Sequence, residues 1–227
     1  DQVLRDAREQ LRDPQSKLLL EIQQGLKDLK QARTLREEDE WAASRDPKTQ
    51  VETLNLLRST RQRFEEAEKT MTRLMTDRNA RYLESWSAEQ WIALRRNTRY
   101  HRARSAFERA YWYADEDRLN RVEALQSASA TLQDVAGQLG TDEPLWWDVV
   151  LAQVRALRQL QQDQEAWQLL RKIDLATAPL KFRPWIVAEV MRLQNALGEA
   201  TKADQIATAI LQGEFGQDPE ALLAVLE

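Results

Sequence analysis

One short pattern occurs twice in this chain, as LAQVRAL at residues 151–157 and, thirty-six positions later, as VAEVMRL at residues 187–193. Periods of this size are typical of stacked helical pairs. Each pair has an apolar face that it cannot bury alone, so neighbouring pairs stack and create an extended surface suited to holding another molecule. The pattern therefore predicts a binding scaffold.

The repeat continues into the segments that follow the two copies. Its members there are Ala166, Leu169 and Ile173, which match Ala203, Ile206 and Ile210 at an offset of thirty-seven. One extra residue in the turn around Gly198 explains the longer offset, since Gly adopts the left-handed conformation that ends a helix. Each unit is thus predicted as helix, short turn and helix, with Pro144 starting the first helix and Asp163 capping its partner.

A more degenerate copy lies upstream, where Ala103, Phe107 and Ala110 are spaced four and three residues apart. Here the chain resembles the tetratricopeptide (TPR) family of helical hairpin repeats, whose second helix has Ala, then an aromatic residue or Leu, then a small residue. The resemblance covers about residues 85–215 and implies a right-handed α-solenoid that binds protein. The period exceeds the family's usual length, and its Trp-Leu-Gly-Tyr run is absent. Other two-helix solenoids and a helical bundle therefore remain alternatives.

The N-terminal part of the chain is different in kind, because it is poor in aromatic side chains. Helix-start signals occur at Asp13, Asp46 and Ser87, the first two followed by Pro and the third by a capping-box Gln. The two long helices between them carry apolar stripes: Leu19, Ile22, Leu26 and Leu29, then Leu54, Leu57, Phe64, Met71, Met75 and Tyr82. Such narrow stripes suit an antiparallel coiled-coil-like hairpin. We therefore predict an all-α chain, with a helical hairpin over residues 1–84 and TPR-like repeats over residues 85–227.

The two ends of the chain carry their own signals. Because the chain starts with Asp1 rather than Met, we expect an internal fragment or a chain that has lost a signal peptide. Asp218 and Pro219 predict a further helix without its partner, so the repeat region is expected to be truncated. Arg outnumbers Lys by twenty-five to eight, which suggests a bacterial source. A bacterial periplasm and the cytoplasm are both compatible with the absence of Cys, and localisation stays open.

Charge is unevenly distributed along the chain. Its formal net charge is −4, which makes nucleic acid an unlikely partner. Residues 81–114, however, contain seven Arg and three Glu. The candidate anionic-ligand patch in this stretch consists of Arg95, Arg96, Arg99, Arg102 and Arg104. On the alternative structural interpretation, these arginines pair with acidic residues of the hairpin or the repeats, because guanidinium groups are favoured at packed interfaces.

The tetratricopeptide resemblance also implies a partner-binding surface on the first helices of the repeats. The candidate residues are Arg155, Arg158, Gln194 and Asn195, which that resemblance places beside the buried stripe. A solvated helix face is the alternative for each of them. Trp146 and Trp147 are either an aromatic platform for a ligand or part of the core.

The chemistry of the chain excludes several kinds of site. It has no Cys and a single His, His101, so thiolate metal sites, His-based metal clusters and Ser-His-Asp triads are ruled out. No catalytic or cofactor motif is present, and no apolar run reaches the length of about 18 residues that a membrane span needs. We expect a non-enzymatic protein-binding scaffold or adaptor with no cofactor or metal, whose protein or peptide partner and oligomeric state are open. The alternative is a helical module that binds an anionic polymer, nucleic acid or glycan, through residues 95–104.

Overall fold

The computed structural model describes residues 14–40, 46–76, 86–175 and 177–213, and this part of the chain is helical with no β-strand. Eight α-helices occur in it: α1 Pro14–Glu40, α2 Pro47–Thr76, α3 Ala88–Trp112, α4 Arg118–Ala136, α5 Pro144–Gln159, α6 Asp163–Leu170, α7 Arg183–Ala196 and α8 Ala200–Leu211. Short 3₁₀ turns, Asp115–Asp117 and Leu180–Phe182, precede α4 and α7. The predicted all-α class is confirmed.

Two predicted helix starts form as expected. The Asp46 carboxylate accepts hydrogen bonds from the backbone N–H groups of Lys48 and Thr49 at 3.3 and 3.0 Å. Helix α2 begins at Pro47, directly after this cap. Hydrogen bonds from Thr49 lower the pKa of Asp46. At the start of α3, Ser87 and Gln90 accept a hydrogen bond from each other's backbone N–H, which is a complete capping box. The third signal, Asp13, lies outside the described residues.

The chain divides into two compact units, residues 1–131 (unit 1) and residues 132–227 (unit 2). In unit 1, α2 packs against both α1 and α3. The core between them is apolar and contains Leu18, Ile22, Phe64, Ala67, Met71, Leu74 and Trp91. Gly25 of α1 lies against the Phe64 ring so closely that a Cβ atom there would come within 2.9 Å of it. The predicted stripe of α1 starts one residue late, because Leu18 is buried and Leu19 is only half-buried.

The two units are divided after residue 131. The predicted boundary at residues 84/85 lies outside the described residues. The helix that carries Ala103, Phe107 and Ala110 is α3, which packs against the first two helices. Ala103 and Ala110 are buried and Phe107 is half-buried. The degenerate third copy is therefore grouped with the N-terminal hairpin in unit 1. Tyr82 and the predicted helix after Asp218 are outside the described part of the chain.

Unit 2 contains two helical hairpins whose turns are alike. Gln162 N–H donates to Leu157 O and Glu199 N–H donates to Gln194 O, at 2.9 and 2.8 Å. Each bond spans a turn that closes its helix with one residue in the left-handed region, which is a Schellman motif. That residue is Gly198 in the second turn, with φ 78°, but Gln161 in the first, with φ 61°.

These turns correct the predicted register of the repeat. Three residues separate α5 from α6 and three separate α7 from α8, so no residue is inserted in the second turn. The ends of α5 and α7 and the starts of α6 and α8 all differ by thirty-seven. At that offset, Val154 corresponds to Met191, and their exposed fractions are 0% and 3%. Val190, which the sequence pattern equated with Val154, is only half-buried.

The unit 2 core forms where these hairpins pack. Its buried members are Trp147, Leu151, Val154, Ala166, Leu170, Ala178, Phe182, Ile186 and Leu193. Trp147 belongs to this core and Trp146 packs against it with an edge-on ring contact, centroid to centroid 4.8 Å. The core interpretation of Trp147 is thus confirmed. Asp163 is the first residue of α6 rather than its cap, which is Gln162 and makes no side-chain capping bond, so that prediction is wrong by one residue.

Candidate functional site

Arginines spaced three apart on one helix recur at the ion pairs of this protein. Such residues lie on the same helix face, and we call each pair an Arg fork. The forks that share one glutamate of another helix are Arg33/Arg36, Arg99/Arg102 and Arg155/Arg158. A planar guanidinium is well suited to this contact, because its N–H groups match the geometry of a carboxylate.

The candidate partner-binding arginines form the fork of unit 2. Arg155 Nε and Arg158 Nε donate to the two carboxylate oxygens of Glu189 at 3.1 and 3.0 Å. Arg192 Nη1 adds a third bond at 3.0 Å, from the same helix as the glutamate. Glu189 is fully buried, whereas 24% of the Arg155 side chain and 30% of the Arg158 side chain remain exposed. The Arg155 guanidinium also lies over the Trp185 ring, 4.5 Å from its centroid.

The other two candidate residues are uncharged and differ from each other in burial. Gln194 is buried, with 5% of its surface exposed, and its Oε1 has no hydrogen-bond partner among the residues that the structure describes. Asn195 is exposed near the end of α7. At the corrected offset of thirty-seven, the counterpart of Arg155 is Arg192. The structure therefore brings Arg155 and Arg158 together with two residues that sequence reasoning missed, Glu189 and Arg192.

In the candidate anionic-ligand patch, two arginines turn toward the hairpin. Arg99 Nε and Arg102 Nη1 lie 3.2 and 2.6 Å from the two carboxylate oxygens of Glu68. This pairing is what the structural interpretation of the stretch predicts, and it is confirmed for these two residues. Arg95 and Arg96 are half-buried on the same helix.

The last arginine of the patch, Arg104, belongs to a second cluster around a buried carboxylate. Arg104 Nη1 donates to the Tyr100 hydroxyl oxygen at 2.9 Å, and its Nη2 lies 3.7 Å from Glu108 Oε1. Glu108 has 1% of its side chain exposed and also receives Arg36 at 2.9 Å and Arg33 at 3.8 Å. Glu108 was not a candidate from the sequence, because glutamate is normally exposed.

His101 lies beside these arginines but is not ionised at neutral pH. Its ring lies 5.0 Å from the Tyr100 ring and 6.1 Å from the Phe64 ring, centroid to centroid. Burial lowers the pKa of His101 to about 4, and the charge of Arg104 adds to this effect. The residue is therefore an uncharged packing group at neutral pH.

Within the described ranges, no three His, Asp or Glu side chains converge as metal ligands. None of the helices described combines the length and the hydropathy needed to cross a membrane. What the clusters can do chemically is to hold guanidinium groups in fixed positions at the surface, where they can bind a carboxylate or another oxyanion.

Comparison with protein families, with curated proteins and with solved structures finds no match to this chain.

Proposed function

We propose that this protein is a non-enzymatic scaffold of TPR-like helical hairpins that binds a carboxylate-bearing protein partner through the surface of α5 and α7. The hairpins α5–α6 and α7–α8 have the same turn and the same spacing. Helix α7 contacts α5 and α6 of the preceding hairpin as well as α8 of its own. This arrangement supports a stacked repeat, in which each hairpin buries the apolar face of the next.

The observation that carries the proposal is the fixed position of Arg155 and Arg158. Glu189 holds both guanidinium groups, and the Trp185 ring supports the first of them. Arg158 uses Nε for this bond, and 30% of its side chain remains exposed. Side chains that are held in place before binding lose little conformational entropy when the partner arrives. The surface is thus prepared for a carboxylate.

The alternative, an anionic polymer bound through residues 95–104, has less support. Arg99 and Arg102 already share Glu68, and Arg104 contacts Glu108 and Tyr100. A polyanion depends on long-range attraction to positive charge, and the formal net charge of −4 opposes it.

A peptide array tests the proposal. Twelve-residue peptides with Asp or Glu side chains, or with a free C-terminal carboxylate, are screened on the intact chain, and the best binders are measured by fluorescence anisotropy. We expect Arg158→Gln to weaken binding by about tenfold, the loss expected for one hydrogen bond between charged groups. Arg171→Gln, an exposed arginine at the end of α6, is the matched control.

The two functional classes also differ in their response to salt. Binding of a charged polymer should weaken steeply and log-linearly as salt rises, whereas binding of a peptide in a groove should respond much less. The proposed function would be overturned if the peptides bound the Arg158→Gln variant as tightly as the wild type. Binding of heparin with a steep salt dependence would also overturn it.

A further inference from the structure

Arg109 is a buried cation in unit 1. Only 8% of its surface is exposed, yet among the described residues it forms no ion pair and its buried Nε has no hydrogen-bond partner. Its guanidinium lies 6.0 Å from the centroid of the Tyr113 ring. Burying a charge without an opposite charge is costly, and buried charges are therefore normally paired.

The residues across from Arg109 are also arginines. Helices α2 and α3 contact each other on either side of Arg109. At one end, Gln50 Nε2 of α2 donates to the Trp112 carbonyl oxygen of α3 at 2.7 Å. Farther along, the ring of Phe64 on α2 lies 6.1 Å from the ring of His101 on α3. Arg109 on α3 lies between these two contacts. So do Arg58 and Arg61 on α2, which form a fourth Arg fork.

This fourth fork differs from the other three in its acceptor. Arg61 pairs within its own helix with Glu65 at 2.6 Å, and Arg58 donates to Asn55 Oδ1 at 3.2 Å. Neither contacts a glutamate of another helix among the described residues. Where the other forks contact a glutamate, this one lies along the same stretch of α2 and α3 packing as Arg109.

The electrostatics of the site agree with its geometry. Burial lowers the pKa of Arg109, and the positive charges of Arg61 and Arg58 lower it further. Tyr113 and Glu123 act in the opposite direction, and Glu123 is exposed. The site therefore combines three neighbouring cations, of which Arg61 is paired with Glu65, and Glu123 is a further exposed acid near Arg109.

We propose that Arg109, together with the Arg58/Arg61 fork, is a binding site for a carboxylate supplied from outside the chain. A carboxylate is the group that the other three forks hold, and its two oxygens match the geometry of a guanidinium group. A phosphate group is bulkier and more strongly hydrated. The carboxylate can come from a small dicarboxylate or from a glutamate side chain of a peptide. The site is independent of the α5 and α7 surface.

Thermal shift and calorimetry on the intact chain test this site with three probes at constant ionic strength. The probes are glutarate, the capped peptide Ac-Ala-Glu-Ala-NH2 and inorganic phosphate. We expect saturable binding of glutarate, the peptide or both, with phosphate weaker. The tighter of the two carboxylate probes identifies the source of the carboxylate. Saturable binding of phosphate alone would overturn the proposal, and so would the absence of saturable binding by any probe.

Variants separate a binding site from a structural role. Arg109→Met removes the charge and keeps the length of the side chain, so we expect carboxylate binding to weaken at least about tenfold while the ligand-free melting temperature stays equal or rises. Arg109→Lys keeps the charge without the planar fork, so it should bind more weakly than the wild type and remain folded. Arg73→Gln, on the exposed side of α2, is the matched control and should bind as the wild type does. A carboxylate response of equal strength in Arg109→Met would overturn the proposal.

Discussion

Replacing Glu189 with Gln would remove a negative charge that Arg155, Arg158 and Arg192 all contact in unit 2. The Glu189 carboxylate is fully buried and the Arg192 side chain is only 11% exposed. The Arg192 guanidinium is therefore poorly placed to regain water when the carboxylate is removed. Leaving a buried charge without its partner costs about 3–5 kcal/mol. Because Arg155 and Arg158 are partly exposed and can be rehydrated, we expect the lower end, about 3 kcal/mol.

This loss is measurable by two independent methods. For a chain of this size, about 3 kcal/mol corresponds to a fall in melting temperature of about 6–12 °C. Urea denaturation followed by circular dichroism gives the free energy of unfolding directly. Glu165→Gln, an exposed glutamate of α6, is the matched control and should change it by less than about 0.5 kcal/mol.

A double-mutant cycle then isolates the contact itself. Combining Glu189→Gln with Arg158→Gln should cost less than the sum of the single changes, by about 0.5–3 kcal/mol. If Glu189→Gln melts together with Glu165→Gln, the buried carboxylate does not hold the two hairpins together and the reasoning fails.

Three further predictions follow from particular contacts. The double change Arg99→Gln and Arg102→Gln should lower the melting temperature because Glu68 loses both partners, whereas Arg95→Gln should not; equal melting of the two variants would contradict the pairing. Gln161→Gly should raise the free energy of unfolding by about 1 kcal/mol, since Gly adopts the left-handed region without strain; a lower value in urea denaturation would argue against the turn geometry. The pKa of His101 is lowered from 6.5 to about 4, so between these values the unfolded chain binds the proton first and stability falls as the pH falls. The expected loss is about 2–3 kcal/mol, and His101→Phe should flatten this dependence relative to the wild type; a parallel pH profile would contradict the burial.

Local signals in the sequence were good predictors here. The capping box at Ser87 and the Asp46 cap depend on residues within three positions of each other, so the amino-acid order alone determines them. The helix-face spacing of Ala166 and its counterpart Ala203 was equally local, and both are buried.

The register of the repeat was harder to predict, because Leu, Val and Ala replace one another freely in a helical core. Matching of residue types favours the offset that aligns Val154 with Val190, whereas burial aligns Val154 with Met191. The sequence of the first turn does not reveal the correct register. Its left-handed position is occupied by Gln161, whereas Gly normally occupies such a position.

The ion-pair clusters could not be predicted in full, since their members come from different helices. Arg155 and Arg158 were recognisable as candidates, but nothing near them in the chain indicates that Glu189 is their acceptor. Glutamate is normally exposed, and only packing of one helix on another identifies the exception. Arg109 was missed for the same reason, because its lack of an acceptor is a property of the packed helices.

The contact between Gly25 and Phe64 limits how this protein can be engineered. Replacing a glycine inside a helix by alanine is a common route to a more stable variant, because alanine favours the helix by about 1 kcal/mol. At position 25 the added methyl group would act as a wedge between two long helices. The separation of α1 from α2 at this position would increase toward the ends of α1. Variant libraries designed for thermostability should therefore leave Gly25 unchanged.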